Sequence, residues 1–146
     1  MGNSPTSRVF LWLMYSRFNL ETEEYKEALR WYRLAGEIGH KDAQFNLGLM
    51  YETGLGVSLD YKEAVKWYTL SAEQRVSKAQ LYLGHLYVVG NGVMKNYVQA
   101  HMWFNISGKN AQDEGCKNRD IIEREMTLDS ITEAKKLARE WMEKNK

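Results

Sequence analysis

Apolar residues recur at helical spacing along most of this chain. Ala43, Leu47 and Tyr51 fall four apart, as do Ala79, Leu83 and Tyr87. Each set predicts a helix with one apolar face, over about 42–53 and 78–89. A second helix follows each, carrying Ala64, Trp67, Tyr68 and Ala72 in one case and Ala100, Trp103 and Phe104 in the other. Asp60 with Glu63, and Asn96 with Gln99, stand three apart at the start of these second helices. That spacing predicts a capping box, in which the first side chain accepts from the third residue's N–H and the third reaches back. Gly54 and Gly90 are placed to end the first helices in the left-handed conformation open to glycine. Gly48 and Gly84 stand in mid-helix, where glycine costs roughly 0.8–1 kcal/mol relative to alanine. Such a cost predicts that a neighbouring helix needs the space of the missing side chain.

The two helix pairs are one pattern repeated. A step of 36 carries Ala43 to Ala79, Leu47 to Leu83, Gly48 to Gly84, Tyr51 to Tyr87, Gly54 to Gly90 and Gly56 to Gly92. The same step carries Trp31 to Trp67 to Trp103, and Tyr25 to Tyr61 to Tyr97. A fixed period of this length means stacked units, because one unit cannot bury its apolar face alone. An aromatic at one place in every unit is read as core. Stepping back places Ser7, Leu11 and Tyr15 under Ala43, Leu47 and Tyr51, with Phe18 and Leu20 where the glycines would stand. Terminal units are expected to be atypical.

The repeat fades after Asn110. Asp113 to Glu125 predicts a further helix with Ile121 and Ile122 inward. Thr127 can cap a last helix in which Ile131, Ala134, Ala138 and Trp141 share a stripe beside Leu137. Lys135, Lys136, Arg139 and Glu140 take much of its remaining surface. These two helices predict a C-terminal cap; a partner-binding amphipathic helix has the same pattern.

The pattern resembles the Sel-one-like repeat (SLR), a branch of the tetratricopeptide superfamily. Residues 43–72 follow its A-x-x-x-L-G-x-x-Y-x-x-G-x-G-V and D-Y-x-x-A-x-x-W-Y-x-x-A halves. Residues 79–107 follow it with Asn96 for the acid and Phe104 for the tyrosine. The resemblance implies an all-α chain of about eight helices. It would be a single domain over 1–146, an α-solenoid of helix-turn-helix repeats at about 7–42, 43–78 and 79–114, with a cap over 115–146. It also implies a right-handed superhelix that mediates protein–protein contacts without catalysis, its first helices lining the concave side. Positions the motif leaves free on that side are Asn46, Leu49 and Thr53, then Tyr82, His85 and Val89, with Phe10, Leu13 and Arg17 one unit earlier; steps of three and four share a helix face. These are the candidate partner-binding residues, and their mixed character suits a peptide or protein partner. Cysteine-rich relatives labelled as β-lactam hydrolases imply an alternative, and weak self-association through an uncapped repeat end is another.

Composition narrows the classes. With 146 residues, 44% hydrophobic and 27% charged, the chain has the make-up of an ordinary globular domain. Its net charge of +1, with both signs interleaved, gives no footprint for nucleic acid or an anionic membrane. The run Val9 to Tyr15 is too short to span a bilayer, and no signal-peptide cleavage site follows it. A cytoplasmic location is therefore expected. Met1 to Thr6 formally fits a myristoylation pattern, although an ordinary start explains it as well. Cys116, the one cysteine, excludes an intrachain disulfide framework and is read as an inert, half-buried thiol. No SxxK, GxSxG, HExxH or Walker-type motif is present. His40, His85 and His101 lie on separate elements. Neither metal nor cofactor is expected.

Overall fold

The computed structural model describes residues 23–110 and 113–146. The first helix expected of the first repeat, with Phe10, Leu13 and Arg17, lies outside them. Among the described residues there are seven α-helices and no strand: α1 (Glu23–Glu37), α2 (Lys41–Thr53), α3 (Tyr61–Glu73), α4 (Ser77–Val89), α5 (Tyr97–Lys109), α6 (Asp113–Glu123) and α7 (Leu128–Lys144). The chain divides into two compact units, Met1–Gln74 and Arg75–Lys146.

In the first unit α2 packs against both α1 and α3. Its core is Tyr25, Ala28 and Tyr32 from α1, Ala43, Leu47, Met50 and Tyr51 from α2, and Ala64, Trp67, Tyr68 and Ala72 from α3. The mid-helix glycine has the steric role its cost predicts. A Cβ on Gly48 would stand 2.3 Å from Cδ1 of Tyr68, so the ring lies directly on the α2 backbone. The ring's hydroxyl then donates to Glu52 Oε1 at 2.6 Å. In the second unit Gly84 receives Phe104 in the same way, with 2.5 Å from the added Cβ to Cε1.

Both glycine turns are built alike. Gly54 and Gly90 have φ of 74° and 82° and return their N–H groups to the carbonyls of Met50 and Leu86. Asp60 then accepts from the N–H groups of Lys62 and Glu63, and Asn96 from that of Gln99. The return arm of the capping box is replaced. The N–H of Asp60 donates to the carbonyl of Tyr51, and that of Asn96 to the carbonyl of Tyr87, both at 3.0 Å. A cap whose N–H is already engaged by the preceding helix leaves Glu63 and Gln99 nothing to reach back to. Each loop is thus closed at both ends by backbone bonds.

Polar side chains keep the same period. Ser71 Oγ donates to the carbonyl of Lys41 at 2.9 Å, and Ser107 Oγ to that of Ser77 at 2.8 Å. Gln74 Nε2 donates to Gln44 Oε1 at 2.8 Å, and Asn110 Nδ2 to Gln80 Oε1 at 3.4 Å. These rungs fasten the start of each first helix to the end of its second and satisfy buried polar groups that would otherwise be costly.

The second unit continues past the repeat, with α6 and α7 both packed on α5. Thr127 caps α7 by accepting from the N–H of Ser130 at 3.1 Å, as expected. Ala134 and Ala138 are fully buried, and Trp141 meets Trp103 edge to face at 5.6 Å between centroids. Two expectations need correction. Ile122 is buried but Ile121 is 55% exposed; adjacent helical residues lie about 100° apart, so only one of them can face α5. Trp67 and Trp103 are core, whereas Trp31 is 39% exposed. The ring of Trp67 lies against Gly36 of α1, where an added Cβ would be 3.2 Å from Cζ3.

Two measurements of stability test this packing. Trp67→Ala should cost about 3–5 kcal/mol, the usual loss on emptying a core aromatic site, and Trp31→Ala at least about 2 kcal/mol less because much of that ring is already in water. Equal losses in chemical denaturation would show that burial does not distinguish the two. Gly48→Ala should destabilise by about 1–3 kcal/mol, since overpacking against Tyr68 outweighs the gain of about 1 kcal/mol in helix propensity. A raised melting temperature for that variant would overturn the close-approach argument.

Candidate partner-binding site

The first helices of the two units present their motif-free positions differently. On α2, Asn46 is buried at 4% exposure, Leu49 is half-buried and Thr53 is exposed. Thr53 turns its hydroxyl back on the helix, donating from Oγ1 to the carbonyl of Leu49 at 2.7 Å. The surface offered by α2 at this stripe is therefore Leu49 flanked by the Thr53 methyl, and Asn46 adds little to it.

On α4 the stripe is richer. Tyr82 is half-buried and packs against the cluster of Leu81, Ala100, Phe104 and Ile122. His85 is exposed, and its ring meets Phe104 edge to face at 5.3 Å. Val89 is 63% exposed. Phe104 can reach His85 because Gly84 has no side chain in the way. The glycine that allows close packing thus also seats the imidazole.

Helix α6 completes this surface. It starts at Asp113, 36 residues after Ser77 and 72 after Lys41, so it stands in the register of a further first helix although its sequence has drifted from the motif. Gly115, in the register of Ala79, is buried, and a Cβ there would be 2.5 Å from the carbonyl oxygen of Phe104. Asn118 corresponds to Tyr82, and its Nδ2 lies 3.3 Å from His85 Nε2. Ile121 corresponds to His85 and is exposed. His85 and Asn118 thus meet across α4 and α6, with Tyr82 on α4 and the exposed Ile121 on α6 at motif-free register positions. Asn118 and Ile121 are missed when the repeat is followed only by its motif letters; adding 36 to the candidate positions on α4 finds both.

Other chemistry-bearing residues have structural roles. His40 caps α2, its Nδ1 accepting from the N–H of Ala43 at 3.2 Å. Cys116 is half-buried beside Gly108, where an added Cβ would stand 2.3 Å from Sγ. No group of three or more His, Cys, Asp or Glu among the described residues could hold a metal ion. What this surface offers is an aromatic ring, an imidazole, an amide and two aliphatic side chains, a set suited to recognition of a polypeptide.

The Sel1 repeat family model matches residues 13–40, 41–76 and 77–110. Among solved structures, the chain is similar to a protective antigen of uropathogenic Escherichia coli that displays an SLR fold. The two are 38% identical with a TM-score of 0.87, over 97% of this chain and 30% of that one. A Sel1 repeat protein from Oxalobacter formigenes is 36% identical with a TM-score of 0.69, over 82% of this chain and 49% of that one. Helicobacter pylori cysteine-rich protein B, 20% identical with a TM-score of 0.61 over 80% of this chain and 98% of that one, shares the fold. The chain thus spans less than half the length of the first two relatives. The comparison with curated proteins returned no match. The matched residues cover most of the sequence, and the second and third segments begin with the described helices at Lys41 and Ser77: this chain belongs to the Sel1 repeat family.

Proposed function

We propose that this protein is a non-enzymatic scaffold that binds a peptide or protein partner on the motif-free face of its first helices. Sel1 repeat proteins generally mediate protein–protein contacts and are typically not enzymes, which supports the class. The observation that carries the site is the approach of Asn118 on α6 to His85 on α4, with Tyr82 and the exposed Val89 on α4 and the exposed Ile121 on α6. Leu49 and Thr53 of α2 form the corresponding surface in the first unit, with Asn46 behind them. The same reading holds that the protein lacks the β-lactam hydrolysis attributed to cysteine-rich relatives, having neither their cysteines nor an SxxK motif. It also involves neither nucleic acid nor membrane. No helix among the described residues is long and apolar enough to cross a bilayer.

One observation favours self-association as a second reading. Trp31 and Leu34 on α1, with Ile38 in the turn just past its end, stand three and four apart and are 39%, 64% and 86% exposed. Such a stripe is long enough to pack against a helix of another copy. Sedimentation at several concentrations separates the two readings, because only this one makes the molecular mass depend on concentration and on Trp31.

Binding itself is tested once a partner is in hand, from affinity capture and mass spectrometry. Tyr82→Ala should weaken that partner by about tenfold or more, since buried aromatic anchors dominate interface energetics. Leu49→Ala and Ile121→Ala should weaken it less. Lys62→Ala, on exposed α3 surface, should leave calorimetric affinity unchanged. Lost binding in Lys62→Ala with full binding in the other three would move the site to the second helices. Turnover of a chromogenic β-lactam would end the non-enzymatic reading.

A further inference from the structure

The C-terminal helix pair is held to α5 around a fully buried imidazole. His101 has no exposed surface. Its Nε2 lies 3.3 Å from Glu123 Oε2 of α6, out of line for a well-formed hydrogen bond, and its Nδ1 has no hydrogen-bond partner. Around it, Arg119 of α6 donates from Nη1 to Asn105 Oδ1 at 2.7 Å and from Nε to Asp120 Oδ1 at 3.1 Å, and it stands 3.9 Å from Glu123. A carboxylate can only accept. The neutral ring therefore carries its proton on Nε2, toward Glu123, and leaves Nδ1 as a buried acceptor. A second proton would create a buried donor at Nδ1 with nothing to receive it, which costs the full desolvation of that group.

We propose that the C-terminal pair is an acid-sensitive latch: α6 and α7 stay docked on α5 while His101 is neutral, and a proton on Nδ1 loosens them. Loosening would uncover Trp103, which Trp141 now covers, and would take Asn118 away from His85. The latch would thereby couple acidity to the surface across α4 and α6.

The charges around the ring agree with this direction. Burial, the largest effect, pushes the imidazole below its ordinary range; Glu123 of α6 opposes it, and Arg119 of α6 and Lys135 of α7 push the same way as burial. The basic groups of α4 are Lys78 and His85, and that of α5 besides His101 is Lys109. A group depressed in the folded state stabilises it fully above its unfolded value, about 6.5 for histidine. That contribution is lost as the pH falls from there toward the folded value. The competing arrangement, a charged His101–Glu123 pair, has the opposite sign, because acid would then strengthen docking until the carboxylate itself is protonated.

Amide hydrogen exchange on the whole chain distinguishes them, comparing about pH 7.5 with about pH 5 after correction for intrinsic exchange rates. The opening constant of α6 and α7 should rise measurably more than that of α3. Helix α3 contains no histidine. His101→Gln should remove the difference. Glu123→Gln, at a partly exposed position, should enlarge it by deleting the one group that favours the charged ring. Equal changes in α3 and in α6 and α7 would overturn the proposal, as would a Glu123→Gln variant that loses its pH dependence. Should His101→Gln fail to fold, an NMR titration of the His101 ring in the unmodified protein decides the matter. A midpoint below that of an unstructured histidine peptide is expected, and one at or above it refutes the latch.

Discussion

Each unit depends on one contact, an aromatic ring of the second helix pressed on the bare backbone of the first. Gly48 under Tyr68 and Gly84 under Phe104 bring the helices so close that no Cβ fits between them. The intrinsic cost of a glycine in mid-helix is repaid by the burial of a whole ring, worth about 1.5–3 kcal/mol against about 1 kcal/mol. Much of the remaining local structure serves to hold that approach. The left-handed glycine that ends the first helix, the Asp60 or Asn96 cap, and the backbone bond from the cap to Tyr51 or Tyr87 fix where the second helix begins and so where its ring lands.

The same contact shapes the candidate site. Close approach at Gly84 lets Phe104 reach His85, and α6, approaching α5 through Gly115, brings Asn118 to Nε2 of the imidazole. Small residues at the helix contacts thus place larger ones at the surface. In the second unit the polar network of Arg119, Asn105, Asp120 and Glu123 beside His101 adds to the apolar packing of Ile122, Ala134, Ala138 and Trp141. A network of that kind depends on protonation state in a way a purely apolar contact does not.

The sequence by itself determined the helix pairs, their period, the turns and the steric purpose of Gly48 and Gly84. Each of these rests on local chemistry: the spacing of apolar residues, the backbone freedom of glycine, and the acceptor at an N-cap. Tertiary structure alone decided three other things. It left Trp31 in water while burying Trp67 and Trp103, because burial at that position depends on the neighbour a ring meets and not on the ring. It turned Ile121 outward and made α6 a drifted first helix, since register is carried by position after the motif residues have changed. It buried His101 beside Glu123, a pairing 22 residues apart in sequence that no period connects. A single chain states which residues want to be covered; only the fold states which of them are.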